Sequence, residues 1–221
     1  MLKLIIGNKA YSSWSLRGWL AVKQSGIPFE EITVPMFDEE WEKRAQGNEF
    51  APSGGKVPIL WDDKAVIWDS LAIIEWLADK TGKERYWPKD DAARGMARSM
   101  AAEMHSSYAN LRREHGMNVR KQFPAKPLSE PVRQEVARIL QLWAQARARW
   151  GSGGPYLFGA FGAVDIMFAP VVTRFITYSI TVPPFAANYM EAIITHPWMQ
   201  EWVSAAQEEP WVIEQYEQPP Q

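Results

Sequence analysis

The chain has 221 residues, of which 47% are apolar and 23% charged, ordinary values for a globular protein with one large or two small cores. Lys and Arg number 24 against 26 Asp and Glu, and like charges do not cluster, which argues against binding to nucleic acid or an anionic membrane. The absence of cysteine excludes disulfides, thiolate metal sites and a thiol nucleophile of the protein's own, and three scattered histidines argue against a metal site. With only a short apolar run at the start and no stretch of membrane-spanning length, we expect a cytoplasmic protein.

The first 81 residues predict a small α/β unit. Short apolar or alternating runs indicate strands, and apolar residues at helical spacing indicate helices between them. The Asp69-Ser70 pair is a typical N-cap for the last helix, which stops at Gly82. The order is βαβαββα, with strands at 2–6, 29–34, 57–61 and 65–68 and helices at 15–24, 37–46 and 70–77.

Strand signals stop after a polar segment that carries Pro88. Amphipathic patterns with a period near 3.6 then predict an all-helical unit. We therefore predict an α/β domain at 1–81, a linker at 82–91 and an all-helical domain at 92–221, with a ligand pocket at their seam. The polar tail at 216–221 is expected to fray. The predicted helices cover 92–111, 130–150, 164–176 and 198–207, and the loops include 123–124, 151–155 and 182–184.

Val57-Pro58 opens a predicted strand, where proline lacks the N–H that a central strand needs. The proline either starts an edge strand or follows a cis bond. In the second case, the backbone of Val57 is presented to an extended peptide, which can pair with it as an added strand. The residues themselves leave both alternatives open.

Two polar stretches stand at helix starts. Asp69-Ser70 is either a simple cap or a site where the helix N–H groups take a carboxylate and Asp69 takes a neighbouring ammonium, as an α-amino acid terminus requires. Ser12-Ser13-Trp14-Ser15 is either a cap with solvated serines or a place where a hydroxyl and the helix end favour a bound thiolate.

Together these motifs resemble those of the glutathione transferase superfamily, a thioredoxin-like domain followed by a helical one. The resemblance covers nearly the whole chain and is closest to the zeta class. It rests on three stretches, Ser12-Ser13-Trp14-Ser15-Leu16-Arg17, Lys56-Val57-Pro58-Ile59-Leu60 and Asp69-Ser70-Leu71-Ala72-Ile73-Ile74-Glu75-Trp76-Leu77.

The resemblance implies that Ser12 stabilises the thiolate of glutathione, with Ser13 as the choice if residues are counted back from Arg17. Tyr11 is a rival hydroxyl donor one residue earlier. The other implied glutathione contacts are Trp14, which stands where the zeta class has cysteine, Lys56 for the glycyl carboxylate, Val57 for the cysteinyl backbone, cis Pro58, and Asp69 with Ser70 for the γ-glutamyl end.

In the helical domain, the resemblance implies that the helix facing the first domain contributes Asn110, Arg112 and Arg113, either as surface charges or as contacts for an anionic electrophile or for glutathione. Phe161-Gly162-Ala163-Val164-Asp165 resembles the capping box of the family's buried helix, with glycine in place of the usual Ser or Thr. The three histidines lack ligand spacing and are expected to be structural.

The sequence thus predicts a serine-type glutathione S-transferase that activates the thiol of glutathione, its co-substrate, for attack on a small hydrophobic or anionic electrophile. The resemblance also implies a homodimer, and no metal, nucleic acid or membrane partner is expected. Two alternatives remain. One is a glutathione-dependent cis–trans isomerase of the maleylacetoacetate or maleylpyruvate type, which Trp14 disfavours, and the other is a noncatalytic binding module of the same fold.

Overall fold

The computed structural model describes residues 1–219, so the last two residues of the predicted helical domain and frayed tail lie outside the described part. Its first part is the predicted βαβαββα unit. The strands form a mixed sheet in the order β2-β1-β3-β4, in which β1 pairs parallel with β2 and antiparallel with β3, and β3 pairs antiparallel with β4. The bounds are β1 Leu2–Gly7, α1 Ser13–Ser25, β2 Phe29–Val34, α2 Trp41–Ala45, β3 Ile59–Asp62, β4 Ala65–Trp68 and α3 Ser70–Thr81.

The second part is helical, as predicted. A 3₁₀ turn at Lys83–Arg85 leads into it, and α6 has the predicted bounds. Among residues 1–219, no helix is both long and apolar enough to span a membrane. The helices are α4 Asp91–Ser106, α5 Ala109–Glu114, α6 Glu130–Trp150, α7 Ala163–Thr177, α8 Pro184–Ile194 and α9 Pro197–Glu208.

Two helix predictions and one loop prediction were wrong in detail. The surface helix at 37–46 is reduced to α2, because Phe37 has a φ of 62° and breaks the helical path. The helix at 92–111 divides into α4 and α5 at Tyr108, which is left-handed with a φ of 60°. The loop at 182–184 is shorter than expected, because Pro184 is the first residue of α8, where proline loses no hydrogen bond.

One apolar cluster joins the two parts. It includes Leu4 and Leu20 from the first part and Phe168 and Trp202 from the second, all buried. The Trp19 and Trp202 rings meet across the seam with centroids 5.4 Å apart. The two parts therefore share one packed core across the seam.

Candidate active site at the domain seam

A cavity of about 840 Å³ lies at the seam. Its walls come from the loop after β1, the segment before β3, the first turn of α3, and residues of α4, α5 and α7. Most of the predicted site residues therefore share one cavity, and these are Ser12, Ser13, Trp14, Lys56, Val57, Pro58, Asp69, Ser70 and Arg112.

Ser12 and Ser13 begin α1, and their hydroxyl groups have different partners. Ser12 is the N-cap, and its Oγ accepts from Ser15 N at 3.3 Å and donates to Ser15 Oγ at 2.7 Å. Ser13 Oγ accepts from Arg174 Nη2 at 3.2 Å, which leaves the hydroxyl hydrogen of Ser13 for an acceptor in the cavity. The positive end of the helix dipole adds to the attraction for an anion there.

Tyr11 also lines the cavity, but its hydroxyl is engaged on another side. Its Oη donates to Glu217 Oε1 at 2.7 Å, and its ring stacks on Tyr216 with centroids 5.8 Å apart. Burial, followed by the bond to Glu217, raises the pKa of Tyr11 to about 12. Tyr11 therefore remains protonated, and its proton points to a carboxylate of the chain itself.

The Val57–Pro58 bond is cis, as the resemblance implies. Because the paired part of β3 begins at Ile59, Val57 lies outside the sheet ladder and beside the cavity. Gly18 of α1 packs directly against the proline, since a Cβ at this glycine would lie 2.6 Å from Pro58 Cγ. Lys56 is exposed where the same segment meets solvent.

Asp69 and Ser70 form the start of α3 and face the second domain. Asp69 Oδ1 accepts from Leu71 N at 2.8 Å, and Asp69 Oδ2 lies 2.5 Å from His105 Nε2 of α4. Ser70 is 1% exposed, and its Oγ has no hydrogen-bond partner within residues 1–219. A buried hydroxyl without a partner is costly, so this atom suits a ligand oxygen. The carboxylate beside it suits an ammonium group.

Trp14 is surrounded by cationic and aromatic groups. The Cζ atoms of Arg17 and Arg112 lie 4.5 Å and 5.5 Å from its ring centroid, and the His105 ring lies 5.4 Å away. Burial and then the neighbouring arginines lower the pKa of Arg17, and burial followed by Arg112 lowers the pKa of Arg174 to about 10. Two guanidinium groups, those of Arg112 and Arg174, thus line this side of the cavity, and that of Arg17 lies beside Trp14.

Among the basic residues that line this cavity, sequence reasoning missed His105 and Arg174. The available signal for Arg174 was its position in α7, an apolar and almost wholly buried helix in which a charge needs a specific partner. The signal for His105 was its spacing of seven residues from Arg112, which on a continuous helix places both side chains on one face.

Asn110 and Arg113 are not among the residues that line the cavity. Asn110 Nδ2 donates to Glu135 Oε1 at 2.8 Å, and Arg113 Nη2 donates to Asn110 Oδ1 at 2.7 Å. Of the three second-domain residues, α5 presents Arg112 to the cavity, whereas Asn110 bonds to Glu135 of α6 and Arg113 is exposed.

Comparison with protein families agrees with this geometry. The model of the glutathione S-transferase N-terminal domain matches residues 11–80, and the model of the C-terminal domain of the same family matches residues 107–205. The chain belongs to the glutathione S-transferase family. Among curated proteins, it is 24% identical to the glutathione S-transferase GstB of Escherichia coli over 214 residues, which cover 89% of this chain and 93% of the relative.

Solved structures share the fold. A glutathione transferase homologue from Burkholderia, crystallised with bound glutathione, has 21% identity and a TM-score of 0.69, over 94% of this chain and 99% of the other. A bacterial maleylpyruvate isomerase of the zeta class has 19% identity and a TM-score of 0.69 over the same shares. A silkworm glutathione S-transferase has 18% identity and a TM-score of 0.70, over 94% and 98% of the two chains.

Proposed function

We propose that this chain is a serine-type glutathione S-transferase in which the Ser13 hydroxyl stabilises the thiolate of bound glutathione. The observation that carries the proposal is the bond from Arg174 to Ser13 Oγ, which occupies an acceptor position of the hydroxyl and leaves its hydrogen for the cavity. Ser12 was the first choice from the sequence, but its hydroxyl both donates to and accepts from Ser15. We therefore assign Ser12 to capping and Ser13 to catalysis.

The rest of the cavity supports glutathione as the co-substrate. Its γ-glutamyl end carries an ammonium and a carboxylate on one carbon. Asp69 can hold the ammonium, and the partnerless Ser70 hydroxyl together with the first N–H groups of α3 can hold the carboxylate. Val57 offers its backbone to the cysteinyl residue, and Lys56 its charge to the glycyl carboxylate.

The thiol chemistry follows from the charge of the site. A free thiol has a pKa of ~8.5, so little of it is ionised at neutral pH. A hydroxyl donor, the α1 N-terminus and nearby guanidinium groups each favour the thiolate over the thiol and lower that pKa. The thiolate then attacks a small hydrophobic or anionic electrophile held against the second domain.

The same proposal retains the other features expected from the sequence. The domain boundaries are 1–81 and 92–221 with a linker at 82–91, which the end of α3 at Thr81 and the start of α4 at Asp91 support. The enzyme is cytoplasmic and a homodimer, which cell fractionation and sedimentation equilibrium check directly.

The test combines calorimetric titration of glutathione with the ultraviolet absorbance of its thiolate as pH is varied. For the unmodified protein, we expect binding and a thiol pKa well below the free value. Ser13→Ala should raise that pKa toward the free value and lower turnover, whereas Ser12→Ala should mainly lower stability, by about 1 kcal/mol.

Three outcomes would contradict parts of this proposal. If Ser12→Ala alone raises the thiol pKa, the catalytic assignment is wrong. Isomerisation of maleyl-type acids without conjugate formation would establish the isomerase alternative. No glutathione binding at all would leave a noncatalytic binding module.

A further inference from the structure

The segment that carries Lys56 and Val57 lies at the cavity but outside the sheet. The pairing of β3 begins at Ile59, and within residues 1–219 neither Lys56 nor Val57 makes a backbone–backbone hydrogen bond. The two residues before Lys56 are glycines, Gly54 and Gly55, with φ angles of 63° and 77°. Glycine adopts such angles readily but does not hold the chain in one conformation. Another group must therefore fix this segment.

The hydroxyl group of Ser53 holds the backbone of this segment. Ser53 Oγ accepts from Lys56 N at 3.0 Å, and it donates its hydrogen to Lys56 O at 2.7 Å or to Phe50 O at 2.9 Å. One side chain thus binds both backbone groups of Lys56, a role that a neighbouring strand has inside a sheet. Ser53 is 6% exposed, so water competes little for these bonds.

The loop is also packed from the side of α2. A Cβ at Gly55 would lie 2.9 Å from Ala45 Cβ, so the loop lies directly on the last residue of α2. Ser53 lines the cavity, but its hydroxyl is already bonded inside the chain. Its influence on a ligand therefore passes through Lys56 and Val57, which lie in the same cavity wall. Ser53 is thus a positioning residue and not a catalytic one.

The ammonium group of Lys56 is available for an anion. Within residues 1–219, it forms neither a salt bridge nor a hydrogen bond, whereas Lys3 and Lys80 of the same domain are each paired with a carboxylate. A lysine ammonium is a point charge on a flexible four-carbon stem. It can stay near one place in the cavity only if the backbone that carries it is held, and Ser53 holds that backbone.

We propose that Ser53 positions Lys56 for the glycyl carboxylate of glutathione, and so sets the preference of the site for a co-substrate with a free carboxylate at that end. The inference rests on the proposed function, in which Lys56 binds this carboxylate, and adds the residue on which the contact depends. A loop of two glycines without the Ser53 bonds would have to be ordered when the ligand binds. A loop that is already fixed avoids this entropic cost.

The experiment compares glutathione with glutathione amide, in which a carboxamide of similar size replaces the glycyl carboxylate. Calorimetric titration of each ligand gives two Kd values, and their ratio is the preference for the charged ligand. For the unmodified protein, we expect glutathione to bind about five- to tenfold more tightly than the amide, since charge-assisted hydrogen bonds are stronger than neutral ones.

Three variants test the role of Ser53. Ser53→Ala should raise the Kd for glutathione and reduce the preference to below about twofold, because the loop must then be ordered by the ligand. Ser53→Cys keeps the size of the side chain but forms only weak hydrogen bonds, so under reducing conditions it should show the same loss. Lys56→Gln, at an exposed position, should also abolish the preference, since it removes the charge that Ser53 positions.

Ser25→Ala is the matched control. Ser25 is 4% exposed at the end of α1 and does not line the cavity, and its Oγ donates to Val22 O at 2.7 Å and accepts from Ile27 N at 3.0 Å. The control thus removes a buried hydroxyl with the same two kinds of partner. It should lower the urea midpoint of unfolding about as much as Ser53→Ala does and leave both Kd values unchanged.

Other outcomes overturn the inference. An unchanged preference in Ser53→Ala or Ser53→Cys would show that Ser53 is only structural. A full preference in Lys56→Gln would show that the carboxylate binds elsewhere. Equal binding of glutathione and its amide to the unmodified protein would overturn the inference and leave the proposed function in place. If neither ligand binds, the proposed function itself is wrong, and the inference fails with it.

Discussion

The three consecutive residues Tyr11, Ser12 and Ser13 line the same cavity, and each carries a hydroxyl group. The three hydroxyl groups differ in what they can bind, because their hydrogen-bond partners within the chain differ. Tyr11 donates a hydrogen bond to Glu217. Ser12 donates to the hydroxyl of Ser15 and accepts from its backbone N–H, and Ser13 only accepts from Arg174. A hydroxyl group can stabilise a thiolate only if its hydrogen is free to point at the sulfur. The three residues are equivalent in sequence position, so their hydrogen-bond partners decide which of them can take this role.

For Tyr11, this argument predicts a small effect on chemistry. Tyr11→Phe should leave the thiol pKa of bound glutathione within about 0.3 units, because the lost hydroxyl donates to Glu217 and not into the cavity. Stability should fall by about 1 kcal/mol, the usual net value of a hydrogen bond. The thiolate titration measures the first effect and urea unfolding the second. A large rise of the thiol pKa in this variant would mean that the chain is a tyrosine-type enzyme.

A second residue-scale prediction concerns pH. His115 is 5% exposed, and burial lowers its pKa from the ordinary value of ~6.5. Glu114 opposes this shift and Arg174 strengthens it. Just below pH ~6.5, the unfolded chain therefore binds more protons at His115 than the folded chain does. The stability from this histidine is fully present above that pH and is lost as pH falls through the unfolded value.

The measurement is the free energy of urea unfolding at about pH 7.5 and at about pH 5.5. We expect a decrease toward the lower pH, with a contribution of up to about 1.4 kcal/mol per pH unit from this proton. His115→Gln should reduce the decrease, while the backbone carbonyl that accepts from Arg174 remains in place. An equal pH dependence in the variant would show that His115 is not the responsible group.

At the scale of elements, the predictions that agree with the structure are those for helices and strands that local apolar periodicity determines. The βαβαββα order and the full extent of α6 follow from apolar spacing and from the Ser129 cap, which need no distant partner. The break between α4 and α5 could not be predicted in this way. It lies at Tyr108, whose phenol donates to Glu103 at 2.9 Å and whose left-handed backbone depends on the packed fold.

The same reasoning applies to the site. The residues supplied by three contiguous motifs of the first domain share the cavity, because loops at one end of a small sheet lie close together. Arg174 could not be placed from the sequence, since its bond to Ser13 joins residues 161 positions apart. Long-range contacts of this kind depend on how α7 packs against α1, and no local pattern records that packing.

The contact between α1 and the segment before β3 gives an element-scale prediction. Gly18→Ala would place a Cβ 2.6 Å from Pro58 Cγ, so either α1 or the Pro58 segment must move. We expect stability to fall by about 1–3 kcal/mol and the Kd for glutathione to rise, because Val57 moves with Pro58. Urea unfolding and calorimetry measure the two effects.

Gly95→Ala is the matched control for this substitution. Gly95 lies on the exposed face of α4, and a Cβ there has no atom within 4 Å. The control should stabilise the protein by about 0.5–1 kcal/mol, since alanine is the better helix former, and should leave glutathione binding unchanged. Equal glutathione affinity in both variants would show that the Pro58 segment does not position the ligand.

At the scale of the whole molecule, α9 and the residue after it hold the loop that precedes Ser12 and Ser13. Glu209, after α9, accepts from Lys9 N at 2.8 Å and from Ala10 N at 3.2 Å. Trp202 Nε1 donates to Lys9 O at 3.0 Å. Because these bonds and the shared apolar cluster both cross the seam, the two domains should unfold in one transition.

Glu209→Gln tests this connection. The amide keeps one oxygen, but its NH₂ group then faces a backbone N–H that had an acceptor, so we expect a loss of about 1–3 kcal/mol. Because the freed loop continues into Ser12 and Ser13, the thiol pKa of bound glutathione should also rise. Glu208→Gln, one residue earlier and exposed, is the control and should change neither quantity. Unfolding followed by circular dichroism and by tryptophan fluorescence should give coincident curves for the unmodified protein, and two separate transitions would show that the seam does not couple the domains.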